Sequence, residues 1–297
     1  MKKALPVITI VLLFVIGFGV LLYPTIGNIL NKMTSSAAIS SYRTQVNAMD
    51  DEEIEEKLSF ARQYNKMLSS ADGVNFMSGN DFTSLSEYAD NFSIDEVLGF
   101  ISIPKINIYL PIYAGDEEAA LEKGIWLMDN TSIPIEGESV NSGLSGHRGL
   151  PSAKFFTDLD QLEIGDQFFI YVLGEALAYE VDDISVVLPE EAQYLDIIKG
   201  EDHVTLVTCT PYGINTHRLL IRGTRTEFTN QDVSHSGLLE DNVRLVPWVI
   251  LGIAIIAALV PIIIISSSRR RRLKLEKQKL RRKLLGAEND SDENSNK

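Results

Sequence analysis

Two long apolar stretches lie near the ends of the chain. The first runs without a charged residue from Ala4 to Leu30, and the second covers residues 246–265. At about 1.5 Å per residue, each is long enough to cross a hydrocarbon core of about 30 Å. The pattern therefore predicts two transmembrane helices that flank everything between them.

The first apolar stretch has two interpretations. Lys2 and Lys3 followed by apolar residues resemble a signal peptide, for which Ala37-Ala38 offers a cleavage site. The apolar run, however, exceeds the usual length of about 7 to 15 residues, and no small-x-small site follows it closely. We favour an uncleaved N-terminal membrane anchor over residues 1–31.

Basic residues beside the two apolar stretches predict the topology. Arg269 to Arg272 follow the second stretch, and Lys2 and Lys3 precede the first. The positive-inside rule places both ends in the cytoplasm. We therefore expect a two-pass protein of the cell membrane whose central part is extracytoplasmic. The basic segment 273–285 is either a helix that lies on membrane lipids or a stop-transfer signal, and the polar end from 288 to 297 is expected to be disordered.

Between the apolar stretches the pattern predicts mainly strands, with turns at Gly165-Asp166 and Gly174-Glu175. Helices are expected over 51–68, where apolar residues recur at helical spacing, over Asp116–Lys123, which Gly124 ends, and over 190–198. Seven strands are predicted, at 98–103, 106–112, 143–146, 167–173, 176–187, 204–208 and 217–225.

These patterns divide the chain into six parts. Residues 1–31 are the anchor, and 32–96 form an extracytoplasmic helical region. The strands place a β domain at 97–228, followed by a linker at 229–245. The second transmembrane helix covers 246–265 and a basic cytoplasmic tail covers 266–297.

The charge is distributed unevenly. Residues 32–245 contain 14 Lys and Arg against 36 Asp and Glu, which gives −22, whereas the whole chain carries −14. Because a nucleic-acid binder needs a basic face on its folded domain, this distribution excludes one. The same region has a single cysteine, Cys209, so no intramolecular disulfide stabilises it.

Cys209 follows a short β-branched strand, and a loop containing Pro211 and Gly213 separates it from the next strand. A hairpin would bring Cys209 to the same rim as Arg218, where a guanidinium can stabilise a thiolate or an oxyanion. The alternative is a buried structural cysteine, which is the more common situation for this residue type.

A cysteine nucleophile requires a general acid or base, and the chain has four histidines. His203 and His235 are expected to be solvated, and His217 is expected to face away from Arg218 by strand alternation. His147 lies between two glycines that permit close backbone approach. Elimination leaves His147 as a candidate for this general acid or base.

Four runs of the sequence resemble the sortase family, specifically the pilus-assembling class C sortases of Gram-positive bacteria. The similarity covers about residues 54–225, and class C members typically share the second membrane span. The resemblance implies a mainly β fold, a closed β-barrel of about eight strands with short helices, an N-terminal helix and a lid, flanked by two transmembrane helices. It also implies that His147, Cys209 and Arg218 are the catalytic residues. The runs are SGHRGLP (145–151), FTDL (156–159), TLVTCTPYG (205–213) and NTHRLL (215–220).

In class C sortases the region that corresponds to 69–94 is a lid with an Asp-Pro-aromatic motif. This chain has Asp81 and Phe82 there but no proline. The resemblance implies that Asp81 pairs with Arg218 and that Phe82 covers Cys209, although a lid without the proline is more flexible. The alternative is a disordered linker. Leu127 and Asn141 stand where many relatives have histidines, so the shape of the pocket is expected to differ.

The resemblance implies cleavage of an LPxTG-like sorting signal and transfer of the acyl group to a pilin lysine through a thioacyl intermediate. The expected partners are pilins and membrane lipids, with no cofactor, and no ligand pattern such as HExxH or CxxC calls for a metal. The alternatives are a membrane-tethered cysteine protease, a cell-wall-anchoring sortase, and a non-enzymatic scaffold whose cysteine is structural.

Overall fold

The structure is a computed structural model, and it describes residues 5–70, 92–228 and 277–278. The compact unit that carries the sheet runs from Leu22 to Ser236. Three α-helices precede or interrupt the strands: α1 (Leu5–Val46), α2 (Asp51–Ser70) and α3 (Glu117–Lys123). Short 3-10 helices lie at Pro104–Ile106, Leu159–Gln161 and Ala192–Leu195.

Eight strands form a closed barrel in the order β1-β2-β3-β4-β7-β8-β6-β5, in which β1 pairs with both β2 and β5. Most neighbours are antiparallel, but β2 with β3 and β4 with β7 are parallel. The strands are β1 (Val97–Ile103), β2 (Ile108–Tyr113), β3 (Ile125–Leu127), β4 (Val140–Ser145), β5 (Gln167–Val172), β6 (Glu175–Val187), β7 (Asp202–Thr210) and β8 (His217–Thr226). The predicted mainly β barrel of about eight strands is confirmed.

All seven predicted strands are present, with small shifts of their ends. The second begins at Ile108 instead of residue 106 because Pro104–Ile106 forms a 3-10 turn that ends at Asn107 with a positive φ of 53°. The sequence analysis missed β3, whose three residues are too few to show an alternating pattern.

Helix α2 packs an apolar face on the barrel, as the helical spacing predicted. Asp50 begins it with a capping box, in which Asp50 Oδ1 accepts from the Glu53 N–H at 2.9 Å and Glu53 Oε2 accepts from the Asp50 N–H at 3.2 Å. Asn65, on the buried face, donates to the Ile133 carbonyl and accepts from the Ile133 N–H. These two bonds tie α2 to the segment that connects β3 to β4.

Tyr42 in α1 bridges β1 and the turn that follows β5. Its hydroxyl donates to the Leu98 carbonyl and accepts from the Leu173 N–H, each at 2.8 Å. Burial raises the pKa of Tyr42 to about 12, although the bond from Leu173 acts in the opposite direction. The phenol therefore remains neutral and can serve as both donor and acceptor.

The helix predicted over 190–198 is wrong in extent, because only the 3-10 helix Ala192–Leu195 forms there. The segment is short, and Leu195 is its buried apolar side chain. Without an apolar stripe to pack, so short a segment does not sustain an α-helix.

The predicted lid residues Asp81 and Phe82, the linker 229–245 and the second membrane span 246–265 lie outside the described residues, as does the tail 266–297 except for 277–278. Among the residues that are described, no helix combines the length and the apolar composition needed to cross a membrane.

Candidate active site

Two parallel strands carry the segments that contain His147 and Cys209. β4 pairs with β7 in a constant register from Val140 opposite Asp202 to Ser145 opposite Val207. The pairing continues past the end of β4, where the Gly146 N–H donates to the Val207 carbonyl at 3.0 Å. Because parallel strands end at the same rim, the same register places His147 next to Cys209.

Cys209 and Arg218 lie opposite each other in the β7–β8 hairpin. The register pairs Thr210 with His217, Cys209 with Arg218 and Thr208 with Leu219. Directly opposed residues have Cβ atoms about 4.5 to 5.5 Å apart and share one face of the sheet. The thiol is free and half-buried, and the Arg218 side chain is also half-buried. The hairpin expected from the sequence therefore puts thiol and guanidinium on the same face at the rim.

Cys209 shares the outer face of the sheet with an apolar cluster and with a residue that lines a cavity. Since side chains alternate, Cys209, Val207 and Thr205 share one face of β7. Val207 packs with Leu220 in an apolar cluster that is separate from the main core and also contains Val187 and Leu195. Beyond that cluster is a cavity of about 160 Å³ whose polar lining is Asn141, Asp183, Ser185, Asp196, Thr205 and Arg222. An extended chain that enters at the thiol therefore meets apolar side chains first and polar ones farther on.

The glycine before His147 permits close packing. A Cβ on Gly146 would lie 2.7 Å from Phe156 Cδ2 and 2.8 Å from Ile125 Cδ1, which is too close for any side chain. The Phe156 N–H donates to the His147 carbonyl at 3.1 Å. These contacts hold the backbone of the histidine against the barrel.

Gly149 has a φ of +84°, a conformation that favours glycine, and a Cβ there would touch the Tyr212 ring at 3.2 Å. Tyr212 lies in the loop between β7 and β8 and is 60% exposed. The loop that follows Cys209 thus packs against the loop that carries His147.

The prediction that His203 is solvated is wrong, because its side chain is only 1% exposed. β7 has β4 and β8 on either side, and His203 Nε2 lies 3.2 Å from Glu201 Oε2. Burial, followed by the Arg222 charge, lowers the pKa of His203. His203 is the second residue of β7, at the end of the strand opposite to Cys209, so its role is structural.

Of the other two histidines, His217 lies in the described part of the chain and His235 does not. His217 precedes Arg218, and its Nδ1 lies 2.9 Å from Thr216 Oγ1. His235 lies outside the described residues. Of the three histidines that are described, His147 is the one that follows β4 at the rim where β7 carries Cys209, directly after Gly146, which is bonded to Val207 and Thr208.

Asn141, one of the two positions expected to alter the shape of the pocket, has a structural role. It is 2% exposed, accepts from Thr205 Oγ1 at 3.0 Å and donates to the Asp196 carbonyl at 3.2 Å. Leu127, at the other such position, is fully buried. In the described part of the chain, no group of three or more His, Cys, Asp or Glu is arranged to hold a metal ion.

Comparison with known proteins agrees with this geometry. The sortase domain family matches residues 101–226. Sortase A of Bacillus anthracis is 30% identical over 145 residues, which are 48% of this chain and 67% of that protein. Sortase A of Streptococcus agalactiae is 32% identical over 118 residues, and this chain spans 47% of its length.

Solved structures give a longer match. Sortase C1 of GBS pilus island 1 is 42% identical with a TM-score of 0.61, and the match covers 67% of this chain and 95% of that one. Sortase C of Clostridium perfringens, solved with the C-terminal cell wall sorting motif, is 42% identical with a TM-score of 0.57 and is covered completely, against 65% of this chain. The chain belongs to the sortase family, and class C sortases are among its structural neighbours.

Proposed function

We propose that this chain is a cysteine transpeptidase that cleaves an LPxTG-like sorting signal and joins the acyl group to a lysine amine of a pilin subunit, building covalent pili. The observation that carries the proposal is the rim where Cys209 opposes Arg218 and the His147 loop lies alongside. The neighbours whose names refer to a pilus island and to a sorting motif support the substrate class.

In the first half-reaction the Cys209 thiolate attacks the carbonyl carbon of the threonine in the sorting signal. A tetrahedral intermediate forms, and its negative oxygen is stabilised by the Arg218 guanidinium. His147 gives a proton to the glycine nitrogen, the carbon–nitrogen bond breaks, and a thioester to Cys209 remains.

In the second half-reaction a lysine amine attacks the thioester carbon. His147 accepts the amine proton, and the thiolate leaves as the new amide bond forms. One amide is broken and one is made, so water is not consumed. The apolar cluster of Val207 and Leu220 next to the thiol suits the leucine and proline of such a signal.

We also propose that the catalytic domain is extracytoplasmic and that both ends of the chain are cytoplasmic. The charge asymmetry between the two basic ends and the acidic middle supports this orientation. Cys209 is the only cysteine, so a membrane-impermeant maleimide applied to intact cells should label this protein at that residue. Labelling only after lysis would contradict the orientation.

The experiment that tests the activity is incubation of the chain with purified pilins from its own genome. A ladder of covalent oligomers on a denaturing gel, with lysine-linked peptides in the mass spectrum, is the expected result. Release of pilin that ends in a threonine carboxylate, without an amine-linked product, would indicate a cysteine protease. Transfer to cell-wall precursor but not to pilin would indicate a wall-anchoring sortase.

A further inference from the structure

Arg148, the residue after His147, is almost entirely enclosed. Its side chain is 7% exposed and reaches two other segments. Arg148 Nη1 donates to Thr210 Oγ1 at 3.0 Å, and Nη2 forms an ion pair with Asp160 in the 3-10 helix Leu159–Gln161. Since Thr210 directly follows Cys209, this contact joins the residue after the histidine to the residue after the thiol.

A second contact joins the two residues that precede His147 and Cys209. Thr208 Oγ1 donates to the Gly146 carbonyl at 2.7 Å, and Thr208 is 2% exposed. Thr208 precedes Cys209, and Gly146 precedes His147. In each contact the two residues are 62 positions apart in the sequence. Paired residues of β4 and β7 are separated by the same number of positions, so both contacts continue the register of that strand pair. His147 and Cys209 are therefore each flanked by residues that are bonded across to the other segment.

Stability alone does not account for the choice of arginine here. Burial removes the hydration of the Arg148 guanidinium, and the single ion pair with Asp160, whose side chain is 49% exposed, offsets that cost only in part. Arg148 Nε is buried with no partner among the described residues. What arginine supplies that an apolar residue does not is a rigid planar fork that fixes Thr210 and Asp160 at set positions.

We propose that Arg148 is a positioning residue: with Asp160 as its anchor, it holds Thr210 and thereby sets the distance between the His147 ring and the Cys209 sulfur. The proposal rests on the proposed function, because it concerns the proton transfers between that pair and the substrate. A displacement of about 1 Å in a reacting group costs about a hundredfold in rate. We expect disruption of this contact to lower kcat and leave KM unchanged, since neither Arg148 nor Thr210 needs to touch the sorting signal.

The test compares Thr210→Val with Thr210→Ser in steady-state transpeptidation of a sorting-signal peptide to an amine. The valine variant removes the hydroxyl that Arg148 bonds while keeping the size of the side chain. We expect kcat to fall about 10- to 100-fold with KM within about twofold. The serine variant keeps the hydroxyl, and its kcat should return to within about threefold of the original chain.

Arg148→Met tests the same contact from the other side, and the double variant Arg148→Met with Thr210→Val should be no slower than the slower single variant. Arg62→Met is the matched control, because it removes an exposed arginine–carboxylate pair with Glu55 in α2. Its kcat should not change. Should Arg148→Met fail to fold, which a thermal melt would reveal, the valine and serine pair decides the question.

The outcomes separate the two proposals. If the unsubstituted chain joins no amine to the peptide, the proposed function fails. If it does so while Thr210→Val keeps its kcat, or if the loss appears only in KM, or if serine does not rescue it, Arg148 does not position the pair. Multiplying losses in the double variant would show that the two residues act separately.

Discussion

At the scale of single residues, chemistry is concentrated in a few side chains on one rim. Cys209 and Arg218 are one residue pair from the end of the β7–β8 ladder, where a rigid backbone meets a loop. That location keeps the thiol half-buried, so it is held in place and still accessible. The burial of a small thiol contributes only about 1 kcal/mol to the fold.

Cys209→Ala should therefore abolish covalent pilin linkage and leave the structure intact. The expected stability change is at most about 1 kcal/mol, since only one small side chain is shortened. Gel analysis of pilin polymers and a thermal melt measure the two effects. Polymer above a few per cent of the normal amount would contradict the role of Cys209 as nucleophile.

Arg218→Lys keeps the charge and loses the planar arrangement of donors. We expect kcat/KM to fall at least about tenfold, which corresponds to about 1.4 kcal/mol of transition-state stabilisation. Peptide transpeptidation kinetics measure it, with Arg62→Lys as the control on an exposed helix face. An unchanged rate would mean that a point charge is sufficient at this position.

The sequence was sufficient to nominate His147, Cys209 and Arg218, because each carries a local signal: glycines around the histidine, and a strand-loop-strand pattern around the other two. The bonds from Arg148 to Thr210 and from Thr208 to Gly146 carry no such signal. They depend on a strand register between segments 62 residues apart, which a single sequence does not display. His203 was misjudged for the same reason, since Asn141 and Thr224, which flank it in the sheet, are distant in sequence.

At the scale of elements, the barrel is held by contacts from helices that precede it. Strands with clear alternation or turn signals were predictable, whereas β3 was too short and the segment 190–198 had too little apolar surface for a helix. Helix α2 was predicted because its apolar residues recur over five turns. The contribution of α1 to the barrel was not predicted, although Ile39, Tyr42 and Val46, which the helix buries in the main core, recur at helical spacing.

Tyr42→Phe should destabilise the chain by about 1 to 3 kcal/mol, because the buried Leu173 N–H loses its acceptor and the Leu98 carbonyl loses its donor. Urea unfolding measures the change. Tyr194→Phe, at a tyrosine that is 38% exposed, is the matched control and should be neutral. Equal stability of the two variants would show that the bridge between α1 and the strands contributes nothing.

The lid prediction also belongs to this scale. If Asp81 pairs with Arg218 and Phe82 covers Cys209, replacing both by alanine should speed alkylation of Cys209 by a small reagent about 5- to 100-fold. This range follows from the stability of the closed lid. The ion pair contributes about 0 to 1 kcal/mol to it, and burial of the aromatic ring contributes about 1 to 2 kcal/mol. Mass spectrometry of the alkylated chain follows the rate. The same rate before and after substitution would show that this segment does not plug the site.

At the scale of the whole molecule, the two ends of β7 have different roles. Cys209 lies at one end, and Asp202 begins the strand at the other, where the Tyr179 hydroxyl donates to its Oδ1 at 3.1 Å. Burial raises the pKa of Asp202 to about 6. The folded protein therefore holds a proton at Asp202 in a pH range where the unfolded chain has released it.

The free energy of unfolding should fall as the pH rises from about 4 to about 6, since the folded state must then ionise a buried carboxyl. Between pH 5 and 7 this group accounts for about 1 kcal/mol. Asp202→Asn should remove that part of the pH dependence without changing transpeptidation. Urea unfolding at the two pH values measures it, and identical pH dependence in both proteins would contradict the assignment.

The parallel pairing of β4 with β7 has a consequence for the newly made chain. Paired residues of β4 and β7 are 62 positions apart in the sequence. Such contacts form slowly during folding, because the chain loses the entropy of closing a long loop before any hydrogen bond between the strands forms. Before that moment His147 and Cys209 belong to separate parts of a collapsing polypeptide. His147 and Cys209 therefore come together only when the barrel is complete, so an incompletely folded chain has no assembled site.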